Sequence, residues 1–298
     1  MTLRLGLLQY EVRRHQTFED FAYRFDTRIA EGAAGADLLV LPEYACMEVA
    51  PALGAAPEPN AELEAVCAAS GRLLTLMRET ARRHGVWLVP GTLPWRSGDG
   101  RTRNRAPLIA PDGAVTFQDK RVMTRFETES WHVDAGDPPA VFETPWGLIG
   151  IAICYDSEFP DLVRAQVKAG AWLILVPTCT DTMHGFNRVA LSARARALEN
   201  QCYVAVAPTV GEAPWLATLD ANRGTAAVYG PVDRGFPEDG VITCGVPDFG
   251  EWVFATLDPE PIRRVREDGA VRNHRDWPET PPPCRVLRPE SITAGKTP

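Results

Sequence analysis

Residues 147–160 read GLIGIAICYDSEFP. Small and apolar residues run from Gly147 to Ile153, and after Cys154 the chain turns polar at Tyr155-Asp156-Ser157-Glu158. An unbroken apolar run of this length is what a strand covered on both faces presents. Cys154 then has two readings. If the strand continues through it, the thiol is a small packed hydrophobe of the core. If the strand ends there, the sulfur stands at a sheet edge, where sites of open α/β sheets gather.

Working outward from this stretch, apolar strands and helical periodicities alternate. LRLGLLQ (3–9), ADLLVLPE (36–43), VWLVPGT (86–92), AWLILVPT (171–178) and CYVAVAPTV (202–210) read as strands. Helices are expected near 17–33, over 61–85 with Gly85 as the stop, from Pro160 to Gly170, and over 187–200. RAPLIAPDGAVTFQDK (105–120) reads as two strands joined at Pro111-Asp112-Gly113. Further strands are expected at 138–143 and 147–154, and in GTAAVYGP and EWVFATLD. Alternation of continuously apolar strands with helices is the pattern of an α/β fold with covered sheets. No linker-like change in composition precedes residue 278, so one domain over 1–277 is expected, followed by an extended C-terminal tail at 278–298 rich in Pro, Thr, Ser and Lys.

The 298 residues suffice for a substantial core without covalent staples. A formal charge of −8 argues against a nucleic-acid partner, which calls for a basic footprint. No apolar run reaches the length of a membrane span, and the N-terminal stretch lacks the pattern of a secretion signal. The seven cysteines are scattered without a C-x-x-C pair and the five histidines are isolated. These features point to a cytoplasmic protein with no disulfide framework, metal centre or other cofactor.

Three strand ends carry reactive residues. Glu43 follows LLVLP, Lys120 follows VTFQD, and Cys154 follows GIAI. Brought together, they form a coherent unit. A thiol attacks as thiolate, a neighbouring carboxylate takes its proton and later that of a water, and an ammonium holds the charge of a tetrahedral intermediate. The Tyr155 amide, directly after the nucleophile, is a natural second donor to that charge. On composition alone the inference is weak, because Glu43 and Lys120 have ordinary surface readings and Cys154 an ordinary core one.

LLVLPEY, DKRVMTRFETES and GLIGIAICYDSEFPDLVR resemble, in order and spacing, the three signature blocks of the carbon–nitrogen hydrolase (nitrilase/amidase) superfamily, and the resemblance extends from residue 3 to about 257. It implies a four-layer α-β-β-α sandwich, with Glu43 as general base, Lys120 as charge stabiliser and Cys154 as nucleophile. It also implies a second glutamate that braces the lysine and contacts substrate. In RFETESWHVDAG the expected residue is Glu129, with Glu127 as its rival.

Cys154-Tyr155-Asp156 resembles the amidase-like branch rather than the Cys-Trp-Glu of nitrile-cleaving members. The implied reaction is hydrolysis of a small non-peptide amide through an acyl-thioester. N-carbamoyl amide hydrolysis, nitrile hydrolysis, and soluble acyl transfer by the same three residues are the alternatives. A Cys–His site would instead require His132 or His184 beside Cys154. Arg125, Phe126 and Trp131 are candidates for shaping selectivity. Members of the superfamily pair through helices near the nucleophile, so a homodimer or higher assembly is expected, with 160–170 and 187–200 as the contacting surface.

Overall fold

A computed structural model describes residues 1–278. Two sheets lie face to face with helices on both outer sides. The first has seven strands. Its order is Trp252–Leu257, Leu3–Leu8, Leu38–Leu41, Trp87–Pro90, Thr102–Ile109 and Leu93–Arg96, with Val115–Asp119 also paired to Thr102–Ile109. The second has eight. Its order is Val241–Cys244, Ala227–Tyr229, Tyr203–Glu212, Leu173–Thr178, Gly147–Ile151 and Val141–Thr144, with Ala221–Asn222 and Tyr10–Glu11 on Tyr203–Glu212.

The period-two alternation of strand side chains divides the apolar residues between two cores. Leu3, Leu5, Leu7, Leu38 and Val40 point between the sheets, against Ile149, Ile151, Leu173 and Leu175. Leu8, Leu39 and Leu41 point the other way, onto Phe21, Phe25 and Ile29 of helix Phe18–Ala33 and Leu73 and Met77 of helix Pro59–His84. Helices Pro160–Lys168 and Met183–Asn200 cover the outer face of the second sheet through Val163, Val167, Val189 and Ala193. Tyr10 and Glu11 leave the first sheet and pair with Thr209 and Val210 of the second, tying the two together.

The middle of each sheet is parallel: Leu3–Leu8, Leu38–Leu41 and Trp87–Pro90 in one, Gly147–Ile151, Leu173–Thr178 and Tyr203–Glu212 in the other. The segments that leave Leu41 and Ile151 therefore emerge at carboxyl ends of parallel strands. Several expectations shift by a few residues. The strand expected to run to Cys154 stops at Ile151, and the helix expected from 187 begins at Met183, capped by Thr182. Among the helical segments not anticipated are a 3-10 segment at Ala45–Leu53 and an α-helix at Pro259–Asp268. The second does carry sequence signals, Asp258 as N-cap and Pro259 in the first turn. The expected tail lies, apart from Pro278, outside the described residues. Among the described residues no helix is long and apolar enough to cross a membrane.

Candidate active site

Cys154 begins a short 3-10 turn, Cys154–Glu158, between strand Gly147–Ile151 and helix Pro160–Lys168. Its φ of 46° is in the left-handed region, which a side chain with a Cβ adopts at a cost. The bend is braced from within, since Ser157 Oγ donates to the Cys154 carbonyl at 2.6 Å and the Asp156 amide to the Ile153 carbonyl at 2.9 Å. The sulfur accepts from Thr178 Oγ1 at 3.1 Å and lies 3.7 Å from the Cys179 carbonyl. No histidine is among its hydrogen-bond partners in the described residues; His132 and His184 are exposed.

Glu43 follows Pro42, and the next residue, Tyr44, is also left-handed at φ 56°. The Tyr44 amide donates to Thr92 Oγ1 at 3.0 Å. Gly91, at φ 86°, packs against the Pro42 carbonyl so closely that a methyl group would overlap it. Lys120 is held through its own backbone, its amide donating to the Asn104 carbonyl at 2.8 Å and its carbonyl accepting from the Gly136 amide at 2.9 Å.

The side chains of these distant segments meet. Lys120 Nζ donates to Glu43 Oε1 at 2.8 Å and to Glu127 Oε2 at 2.6 Å. Asn104 Nδ2 donates to Glu43 Oε1 at 2.9 Å and Glu127 Oε1 at 3.1 Å. The Tyr44 hydroxyl donates to Glu127 Oε1 at 2.9 Å. Asp156 joins the Cys154 turn to the lysine loop by accepting from the amides of Arg121, at 3.0 Å, and Val122, at 2.8 Å. Glu43, Lys120 and Cys154 are exposed by only 2%, 1% and 4%, so their charges interact with little screening from water.

Sequence reasoning chose the wrong second glutamate. Glu129 is 59% exposed and pairs with Arg125, itself 88% exposed, at 2.9 Å on the protein surface. Glu127 is the one at the lysine. The reason is local: Thr124 caps helix Arg125–Glu129, and Glu127 is its capping-box partner, turned back toward the helix start. The same geometry removes Arg125 from the site. Trp131 packs edge-on against Tyr44 at 4.9 Å between ring centres, and Phe126 tilts onto Trp131 at 5.0 Å. The Tyr155 ring packs on Phe159 at 4.9 Å, and among the described residues its amide donates to no protein acceptor. Asn104, Tyr44 and Thr178 were not singled out from the sequence, and Asp156 only as part of the Cys154-Tyr155-Asp156 signature. T-x-x-E at 124–127 is the one sequence signal that favoured Glu127.

Burial is the largest influence on all four ionisable groups. It raises the Glu43 carboxyl, and Glu127 adds to that rise, against the opposing pull of Lys120 and the Cys154 thiol. It acts upward on Glu127 too, but Lys120, Thr124 and Tyr44 outweigh it and leave that carboxyl below its ordinary value. Burial would lower Lys120, yet Glu127 and Glu43 together push it well up. The Cys154 thiol is raised well above its ordinary value by burial and then by Glu43, with Lys120 and Thr178 opposing. The resting arrangement is a Lys120–Glu127 ion pair, a neutral thiol, and in Glu43 a carboxyl with raised proton affinity. Asp156 is pushed up to about 6, chiefly by burial and against the two amides that hold it.

The family model for carbon-nitrogen hydrolases matches residues 5–267. The probable hydrolase YhcX of Bacillus subtilis is 31% identical over 275 residues, covering 92% of this chain and 53% of that protein, so the chain spans about half the length of this relative. Omega-amidase NIT2 of Danio rerio is 30% identical over 214 residues, 68% of this chain and 73% of that protein. A solved amidase from Nesterenkonia sp. AN1, carrying the acetamide moiety of fluoroacetamide covalently at its active site cysteine, superposes with a TM-score of 0.66 at 25% identity, over 92% of this chain and 96% of that one. With a match that spans nearly its whole length, the chain belongs to the carbon–nitrogen hydrolase family.

Proposed function

We propose that the chain hydrolyses the C–N bond of a small non-peptide amide through an acyl-thioester on Cys154. As the sulfur attacks the amide carbon, the thiol proton passes to Glu43, whose raised proton affinity suits it to receive that proton. The carbonyl oxygen gains negative charge, which Lys120 Nζ and the Tyr155 amide meet. Glu43 gives the proton to the leaving nitrogen, the C–N bond breaks, and ammonia or an amine departs. Water then attacks the thioester as Glu43 takes its proton. Collapse of the second tetrahedral species returns the proton to sulfur and releases the acid. Glu127 keeps Lys120 charged throughout.

One observation carries this reading: a cysteine held in a left-handed bend at a strand end, buried with a carboxyl and an ammonium that arrive from two other strand ends. The choice of amide is supported by the amidase relatives and by Cys154-Tyr155-Asp156. The test is ammonia release from a panel of amides, N-carbamoyl amines and nitriles, with C154A as control and peptide mass spectrometry to locate a trapped acyl group. Turnover of amides with the acyl group on Cys154 is expected. Turnover of nitriles alone, or an adduct on Cys179 or Cys202, would refute it. Self-association through helix Met183–Asn200 is supported by Leu191 and Leu198, exposed by 66% and 44%. Light scattering should report more than one chain per particle, and L191E should reduce that number.

A further inference from the structure

Asn104 lies on strand Thr102–Ile109 with 0% exposure, at the point where both carboxylates of the site converge. Its Nδ2 is the only part of the side chain that is satisfied. It donates to Glu43 Oε1 and Glu127 Oε1, while Oδ1 is buried with no partner among the described residues. An asparagine that leaves its carbonyl unpaired in order to serve two carboxylates is oriented by them, because the opposite flip would set oxygen against oxygen. Its backbone carbonyl meanwhile holds the Lys120 amide.

The hydrogen bonds on Glu43 are unequal. Oε1 takes both Lys120 Nζ and Asn104 Nδ2, and Oε2 takes neither. We infer that Asn104 is a positioning residue that fixes Glu43 by one oxygen and so reserves the other for the proton of the nucleophile. A neutral amide is the group suited to this task. Its two N–H bonds reach two anions without adding charge. A cation there would depress the basicity of Glu43, and a third carboxylate would repel both glutamates. The inference rests on the proposed role of Glu43 as base. The ionisable groups around that carboxyl are Lys120, Glu127 and the Cys154 thiol, with Tyr44 and Cys179 also within electrostatic reach. All of them remain when Asn104 is replaced.

A donor to the charged form of a carboxylate lowers its pKa, so removing the donor raises it. In N104L the acid limb of kcat/KM should move to higher pH by about one unit, with kcat reduced more than KM is raised. N104D, of the same shape, should move the limb further by adding repulsion. Should N104L fail to fold, N104D carries the test. Both are monitored by circular dichroism, and the Lys120–Asn104 backbone bond persists in each.

The rate of Cys154 alkylation by iodoacetamide against pH is read in parallel and needs no substrate. A native chain that releases no ammonia from any amide would sink the proposed function, while the alkylation profile would still report on Asn104. A folded N104D whose alkylation profile and acid limb both coincide with the native ones would overturn the inference. Loss of activity at all pH values with an unshifted alkylation profile would also overturn it.

Discussion

Replacing Glu127 by glutamine removes one charge and leaves the outline of the side chain. In the native site Glu127 receives Lys120 Nζ at 2.6 Å, the Tyr44 hydroxyl and the Thr124 amide and hydroxyl at 2.9 Å, and Asn104 Nδ2 at 3.1 Å. Breaking a buried ion pair costs about 3–5 kcal/mol. Lys120 retains Glu43, and glutamine retains one acceptor oxygen, so the loss should sit nearer about 2–4 kcal/mol. Glu43 then becomes the sole counter-ion of Lys120, is drawn to its charged form, and takes the thiol proton less readily. Together these predict kcat/KM lower by about 30- to 700-fold, at roughly tenfold per 1.4 kcal/mol. E129Q is the matched control. Its pair with Arg125 is solvated on both sides, so kcat/KM should change by less than about twofold. The assay is ammonia release at saturating and limiting amide, with melting curves for both variants. An E129Q enzyme crippled while E127Q works normally would show that the buried glutamate has no part in the reaction.

Gly91→Ala should lower stability by about 2–4 kcal/mol, since φ 86° is unfavourable for alanine and its methyl would strike the Pro42 carbonyl beside Glu43. A melting temperature within a degree of the native one would contradict this. Tyr44→Phe removes one donor to Glu127 and should reduce kcat about three- to tenfold with the fold intact; unchanged kcat would show that the hydroxyl is dispensable. Asp156 tests linkage to pH. Its folded carboxyl is pushed up to about 6, above its unfolded value near 3.9, so the folded state binds the proton more tightly. That contribution is complete below about pH 4 and is lost as the pH rises through about 6. Asparagine does not titrate, so D156N should gain on the native chain between about pH 4 and 7, by up to about 3 kcal/mol. A pH-independent difference in melting temperature would refute this assignment.

How much of this was legible in the sequence depended on range. Strands such as Leu38–Leu41 and Leu173–Thr178 are buried on every residue and read as unbroken apolar runs. The reactive groups stood out because each closes such a run or a hairpin. What failed was angular. Glu127 and Glu129 are two residues apart on one helical turn, about 200° around its axis, so one faces the lysine and the other faces water. Composition does not separate them, whereas the threonine three residues before Glu127 does. Asn104 and Tyr44 were invisible for a different reason. Their partners lie across strands, 61 residues from Asn104 to Glu43 and 83 from Tyr44 to Glu127, and no local pattern encodes such contacts. The 3-10 turn at Cys154 lacks a glycine, although a positive φ usually asks for one, so the sequence carries no turn signal at the residue where the chain bends.

The need for two carboxylates follows from the demands made on Lys120. A buried ammonium without a counter-ion would lose its proton, and with it the ability to hold charge on a substrate oxygen. If Glu43 alone supplied the counter-charge, the pair would stabilise its ionised form and blunt its affinity for the thiol proton. Glu127 takes over that duty: five donors reach it, its carboxyl lies below the ordinary value, and Glu43 is left with the raised affinity. Burial raises the proton affinity of Glu43 and keeps Cys154 a neutral thiol, while the Lys120–Glu127 pair stays charged. A site that held the thiolate permanently beside both carboxylates would have to stabilise a third anion in the same dry hollow. Holding the thiol neutral until substrate arrives makes the proton transfer to Glu43 part of the attack, so the anion forms only where Lys120 can meet it.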